Sequence, residues 1–267
     1  MTAATSIEPV PVAAPPGRWP AFNDVRVITR RNIKRIFRTP QLVVSASLQP
    51  VLFVVMFRYI FGGVIHPAGM SYADYLLPGI FVESMLFGAT TAVALATDLR
   101  SGIVDRFRSL PIARSAVLIG RTLADATRNV IAVAVLVAAG TLVGFRFNNG
   151  AIAALGALAL VMAIGFVFCW VSATIGLTVK DPETAQIAGL LTTIPLIFAS
   201  SAFVPPASMP GWLQAFANNQ PVSVVVNAVR ALTQGGPVFH WFWLSAAWCA
   251  GILLVFVPLA VRRYRQV

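Results

Sequence analysis

Apolar residues fall in long runs along this chain, at roughly 41–61, 75–97, 116–145 (a crossing over 120–145), 151–179, 185–204 and 238–261, with polar residues gathered between them. A helix needs about 20 apolar residues to cross a hydrocarbon layer of about 30 Å at 1.5 Å per residue. Each of the six runs reaches that length. Inside lipid every backbone N–H and C=O must be paired within the segment, which leaves helices or closed barrels. The runs do not alternate as strands would, and residues 147–179 hold no charge at all. The pattern predicts an all-α membrane protein with six transmembrane helices, with no internal repeat and no separate soluble domain.

The stretches between the runs predict further elements. Residues 1–17, rich in Pro, Ala and Val, read as a disordered cytoplasmic tail, and residues 18–267 as one membrane domain. Over 20–38, Phe22, Val25, Ile28, Ile33, Ile36 and Phe37 share one arc of a helical wheel, while Arg30, Arg31, Lys34, Arg35 and Arg38 occupy most of the rest. Pro20 suits the start of such a helix and Pro40 its end. A basic amphipathic helix just before a span lies in the membrane interface against lipid; the alternative is an ordinary charge cluster beside the first span. Lys180-Asp181-Pro182-Glu183 reads as a tight turn whose Pro and acids start the fifth helix.

Residues 184–229 run for 46 positions without a charge, yet Pro195, Pro205, Pro206, Pro210 and Pro221 interrupt them. One span uses about 20 of these positions. The remainder is too apolar for a solvated loop and too broken for a clean span. Short helices that dip partly back into the outer leaflet are expected before the last span, with Trp212 at the interface. A plain external loop is the other reading.

Charge gives the orientation. Only 11% of the 267 residues are charged and 58% are hydrophobic, against about 25% charged in soluble domains. Seven basic residues precede the first run: Arg18, Arg26, Arg30, Arg31, Lys34, Arg35 and Arg38. Six lie between the second and third (Arg100, Arg106, Arg108, Arg114, Arg121, Arg128), one between the fourth and fifth (Lys180), and three in the tail (Arg262, Arg263, Arg265). Only Arg58, Arg146 and Arg230 fall on the other side. Basic residues mark the cytoplasmic side, so both termini are expected there. The net charge of +11 is then a matter of topology and anionic headgroups, and nucleic acid is not expected as a partner. Cys169 and Cys249 sit within runs and read as packing residues.

The chain carries no recognisable catalytic chemistry. It has two lysines, neither preceded by glycine, so no phosphate-binding loop can be built. No metal spacing exists, His66 and His240 stand alone, and no catalytic residue is assigned. The best-defined site is the connection between the second and third runs, DLRSGIVDRFRSLPIARS. Asp98, Arg100, Asp105, Arg106 and Arg108 alternate in sign over a helix-compatible stretch, Leu110-Pro111 ends it, and Ile103, Phe107 and Leu110 add apolar contacts. Such a helix suits docking into a groove on a cytosolic partner.

On these residues the chain resembles the permease subunits of type-2 ABC exporters, in particular the daunorubicin/doxorubicin-resistance kind. The resemblance runs from about Arg18 to the end and rests on the six spans, the basic helix before the first, the segment GIVDRFRSLP at 102–111, and Asn219-Gln220-Pro221-Val222-Ser223 through Ala228-Val229-Arg230. Asp105 stands where that family often has Glu, keeping the contact with a shorter reach, and Asn227 where an acid is common. The resemblance implies a multi-pass protein of the cell membrane, a homo- or heterodimer paired with two copies of a separate ATP-binding subunit. That subunit holds the ATP and Mg, with no cofactor in this chain. Gly102, Asp105, Arg106, Phe107, Arg108, Leu110 and Pro111 would form the coupling helix that contacts it. The cargo implied is hydrophobic or amphiphilic drugs such as anthracyclines, or lipids. Polysaccharide or glycolipid export is a second reading, and an ATP-independent transporter or a membrane scaffold a third class.

Glu83 lies deep in the second run, and Arg58 near the outer end of the first. An ionisable group at such depth is normally paired or faces water. Three readings follow: Glu83 pairs with Arg58, Glu83 faces a substrate cavity and favours cationic amphiphiles, or its carboxyl packs against a neighbour.

Overall fold

The computed structural model describes residues 40–65, 67, 69–87, 91–101, 114–179 and 181–266. The expected interfacial helix over 20–38, with Arg30, Arg31, Lys34 and Arg35, and the segment 102–111 both lie outside the described residues. Among the described residues the chain is helical, with no strand. The helices are α1 (Pro40–Ile60), α2 (Tyr72–Phe87), α3 (Thr91–Arg100), α4 (Arg114–Leu142), α5 (Gly150–Val179), α6 (Pro182–Phe198), α7 (Gly211–Asn219), α8 (Pro221–Gln234) and α9 (Val238–Gln266). A 3₁₀ turn, Pro206–Ser208, precedes α7.

Among the described residues four stretches are long and apolar enough to cross a membrane: Tyr72–Arg100, Asp125–Leu142, Gly150–Val179 and Val238–Tyr264. They fall on the second, third, fourth and sixth runs of the sequence. The first run folds as α1, whose described apolar part, Leu48–Ile60, is shorter. The fifth becomes α6, with 17 residues, which at 1.5 Å each extend about 26 Å. It stops early because the chain turns at Ala199 into Ser200, whose hydroxyl donates to the Ile197 carbonyl, and Ser201, whose hydroxyl donates to Asn227 Oδ1 of α8, and then meets Pro205 and Pro206.

Local chemistry sets several helix starts. Asp181 caps α6, accepting the Thr184 backbone N–H at 3.0 Å and the Thr184 hydroxyl at 2.9 Å, with Pro182 at the first helical position. At α2 the Ser71 hydroxyl donates to Asp74 Oδ2 (2.7 Å) and the Asp74 N–H donates back to Ser71 Oγ (3.2 Å), a reciprocal cap. Beyond α6 the Pro-rich stretch forms helices rather than an extended loop. Trp212 on α7 is exposed, whereas α8 is buried along most of its length against α2, α5 and α9.

The uncharged α5 is the centre of the bundle, packing against α2, α3, α4, α6, α8 and α9. The main core joins Leu76, Ile80, Phe81 and Met85 of α2 to Leu136 of α4, Val161 and Ile164 of α5, and Val225 and Val229 of α8. A smaller cluster at the other end joins Leu95 of α3, Trp170 and Leu177 of α5, and Ala260 and Tyr264 of α9. Two glycines permit backbone-to-backbone contact. A Cβ at Gly79 would collide with the Ala202 carbonyl oxygen and lie 2.8 Å from its Cα; a Cβ at Gly176 would collide with the Ala92 carbonyl oxygen and lie 2.8 Å from its Cα. Small residues at such crossings let membrane helices approach closely. By contrast α9 leaves Phe239, Trp243, Leu254 and Val255 open, an apolar face suited to lipid.

Candidate functional site

The segment expected to meet a cytosolic partner connects α3 to α4 and lies outside the described residues. α3 runs down to Arg100, Ser101 continues it through a bond to the Thr97 carbonyl, and α4 resumes at Arg114. Arg100 Nη1 reaches Asp181 Oδ1 at 3.4 Å, tying the end of α3 to the cap of α6, with both side chains largely in the open. The Thr184 backbone N–H, followed by its hydroxyl, holds the Asp181 carboxyl below its usual range. The ion pair itself is a surface contact of the kind that contributes little on its own.

Where α3, α4 and α5 meet, the polar groups are buried. Thr91 of α3 is 1% exposed, and its hydroxyl donates to Asp125 Oδ2 of α4 at 2.6 Å. The other carboxylate oxygen, Oδ1, faces Arg128 Nη1 at 3.9 Å, one helical turn on. The Cys169 thiol of α5 borders Thr91 and Asp125, and Asn129 lies beside Gly165 with its amide nitrogen unpartnered. Asp125 and Arg128 fall inside the run predicted over 120–145, although sequence counting assigns Arg128 to the cytoplasmic connection. Opposite charges three apart on one helix within an apolar run are the signal that reading passes over.

Glu83 is 2% exposed, enclosed by its own protomer, and its Oε2 has no hydrogen-bond partner. The structure does not bring it to Arg58. Arg58 sits at the end of α1, where its guanidinium lies against Gly62. Glu83 is eleven residues into α2, about 16 Å along it, so antiparallel neighbours leave the two groups at different depths.

Away from the Arg100–Asp181 contact, Arg230 of α8 joins three elements. Its Nε and Nη2 donate to the Tyr75 carbonyl (3.2 and 3.0 Å), Nη2 also to the Ser201 carbonyl (2.9 Å), and Nη1 to Asn227 Oδ1 (2.8 Å). The guanidinium lies 3.8 Å over the Tyr75 ring. The Tyr75 hydroxyl donates to the Ser201 carbonyl (3.0 Å), the Ser201 hydroxyl to Asn227 Oδ1 (3.0 Å), and the Ser201 N–H to Ser223 Oγ (3.0 Å). Gln220 Nε2 donates to the Leu196 and Ala199 carbonyls, closing the end of α6. Sequence reading counts Arg230 as one basic residue on the sparse side and gives Asn227 no role. The spacing of three between them was the available signal.

Residues 23–233 match the family model described as ABC-2 type transporter. The chain belongs to the ABC-2 type transporter family. It is 36% identical over 228 residues to a daunorubicin resistance ABC transporter permease of Streptomyces coeruleorubidus, an alignment covering 85% of this chain and 81% of that protein. A probable doxorubicin resistance ABC transporter permease of Mycobacterium tuberculosis is 32% identical over 239 residues, covering 87% and 85%. A putative transport permease of Pyropia yezoensis is more distant, at 23% over 221 residues, covering 79% and 74%. As an ABC-2 permease the chain is a multi-pass protein of the cell membrane, in agreement with its apolar helices. Both cysteines of the permease are free and buried, and among its described residues no group of His, Cys, Asp or Glu could hold a metal ion.

Proposed function

We propose that the chain is the membrane half of an ATP-driven exporter that carries hydrophobic or amphiphilic compounds, anthracycline-like drugs or lipids, outward across the cell membrane. The observation that carries this reading is the 36% identity, along most of both chains, to a daunorubicin resistance permease. In this reading α1 and α6 complete a set of six spans, both termini are cytoplasmic, and the proline-rich segment with α7 and α8 dips into the outer leaflet. The basic residues Arg30, Arg31, Lys34 and Arg35 rest on lipid headgroups. The active unit is two permease copies and two ATP-binding subunits. Those subunits carry ATP and Mg, and each docks on Gly102, Asp105, Arg106, Phe107, Arg108, Leu110 and Pro111. Support for the docking site is its sequence: charges of both signs with Ile103, Phe107 and Leu110, in the connection between α3 and α4.

The test is ATP hydrolysis by the copurified complex in lipid nanodiscs, with and without daunorubicin. Drug-stimulated turnover is expected for the wild type and its loss for Arg106→Glu/Arg108→Glu. Turnover that ignores the drug but needs the two arginines would keep the ATP-driven permease and discard this cargo. Copurification of no ATP-binding protein would sink the exporter reading.

Glu83 supplies the cargo-selective element. Its buried Oε2 lacks a partner, which suits it to a cationic group once the helices part to admit one. Glu83→Gln is expected to lower export of cationic compounds severalfold and leave neutral ones unchanged. Equal loss of both classes in a vesicle export assay would refute that role.

A further inference from the structure

Aromatic rings at one edge of the bundle are stacked. Phe57 of α1 lies on Phe203 with 4.6 Å between centroids and 13° between planes, and on Phe61 at 5.2 Å and 26°. Phe203 continues to Phe198, the last residue of α6, at 5.5 Å and 38°. The four rings form one run, Phe61–Phe57–Phe203–Phe198, between α1 and α6, each of which packs on α2. By contrast Phe81–Phe145, Phe145–Phe147, Phe166–Trp170 and Phe239–Trp243 meet edge to face, at 73° to 90°. An edge-on pair interlocks, whereas a stacked run leaves ring faces at its ends. Both ends are open here: Phe61 is 37% exposed and Phe198 53%, while Phe203 between them is buried. An acyl chain moulds itself to any apolar surface, but an open ring face selects for a flat, aromatic ligand.

The run also lies close to a carboxyl group that has no partner. Ala202 is pressed against Gly79 of α2, and the Tyr72 hydroxyl donates to the Phe203 carbonyl at 3.4 Å. α6 is antiparallel to the α2–α3 segment, since Ala185 near its start clusters with Ala92 and Ala96 of α3. From the Gly79–Ala202 contact, Glu83 and Phe198 therefore step in the same direction. Glu83 is four residues along α2, about 6 Å, and Phe198 is four residues back from Ala202. The ring at the end of the run and the unpartnered Glu83 Oε2 stand at similar depth, one on the open side of α6 and one within the bundle.

We propose that Phe198, backed by Phe203 and Phe57, is a specificity-determining platform on which the flat ring system of a cationic aromatic compound stacks, its amine directed towards Glu83. The inference rests on the reading of the chain as an exporter of amphiphilic compounds. The role belongs to the ring face rather than to apolar bulk, so leucine at 198 tests it: it keeps an apolar side chain and removes the face. Phe198 is exposed and lies outside the buried core, so Phe198→Leu should fold. Phe198→Tyr keeps the face and is the variant expected to retain binding.

The test is equilibrium binding of two radiolabelled probes to the full permease–ATP-binding complex in nanodiscs, counted above empty nanodiscs. One probe is daunorubicin, a flat aromatic cation, and the other dodecyltrimethylammonium, a cation with no ring. Phe198→Leu is expected to weaken daunorubicin about fivefold, the scale of one stacked ring pair, and to leave dodecyltrimethylammonium unchanged. Phe198→Tyr should bind daunorubicin as the wild type does, and Glu83→Gln should weaken both probes. Unchanged daunorubicin affinity in Phe198→Leu overturns the platform. Equal losses of the two probes in that variant, or a loss that Phe198→Tyr shares, also overturn it, because bulk or folding would then be the cause. A Glu83→Gln complex that binds both probes as the wild type does overturns the part assigned to the carboxylate. A wild-type complex that binds neither probe above empty nanodiscs overturns instead the reading of the cargo, and the platform falls with it.

Discussion

Arg230→Ala is expected to lower the melting temperature of the purified permease more than truncation of any other polar side chain described above. The argument is a balance of large terms. The guanidinium makes four bonds to neutral acceptors and lies 3.8 Å over the Tyr75 ring. Bonds to charged groups are each worth about 1.5–3 kcal/mol, and a desolvated cation–π contact about 2. Burying an arginine with no carboxylate beside it costs several kcal/mol in return. Its acceptors are not orphaned by truncation, because Ser201 O keeps the Tyr75 hydroxyl and Asn227 Oδ1 keeps the Ser201 hydroxyl. What alanine removes is the tie between α2, the 199–204 turn and α8, and it leaves a cavity. The net loss is about 3 kcal/mol, the cavity term included. Arg230→Met refills the volume and escapes the desolvation cost, so it should lose less than alanine. Arg230→Lys keeps the charge but cannot serve three acceptors from one flat group. Thermal melts of the three variants in one detergent decide the matter: an unshifted alanine variant would mean that the network is idle.

The second large effect is expected at Gly176. A methyl group there would collide with the Ala92 carbonyl oxygen and lie 2.8 and 2.9 Å from the Ala92 Cα and carbonyl carbon. These are backbone atoms, so no side-chain rotation relieves the clash and α3 must move away from α5. Overpacking of this kind costs about 1–3 kcal/mol. The displacement also carries Thr91, one residue along, away from its partner on α4. Gly176→Ala is therefore expected to reduce the folded yield, and Gly176→Leu to abolish it. Gly251→Ala on α9 is the control, since a Cβ there meets nothing within 4 Å. If fluorescence-detected gel filtration gives equal monodisperse yields for Gly176→Ala and Gly251→Ala, the contact is not holding the two helices.

Much of this was legible in the sequence because it follows from local composition. The runs at 151–179 and 238–261 became α5 and α9 nearly residue for residue. The proline spacing after 204 announced short helices, and Pro182 with its acids announced the start of α6. Less was legible where a partner is distant in the chain. Arg230 bonds to a carbonyl 155 residues away, and Thr91 to a carboxylate 34 residues away. A backbone carbonyl leaves no residue-type signature at all, so no inspection of side chains could have named Tyr75 O as an acceptor. The pairing considered for Glu83 and Arg58 used sequence adjacency of two helices where depth decides, and the two groups lie at different depths. Asp125 and Arg128 were visible as charges, but a count of basic residues by connection discards where along a helix they stand.

The joint around Arg230 has a consequence for the conditions it can withstand. Every acceptor the guanidinium uses is a main-chain carbonyl or the side-chain amide of Asn227. None of these takes up a proton in the range where cells live, and arginine does not give one up. An aspartate at 227 would add attraction at neutral pH but would make the same joint loosen in acid. With asparagine there, the Arg230 joint itself is built to ignore acidification of whatever bathes it, as well as the screening that weakens ion pairs in concentrated salt.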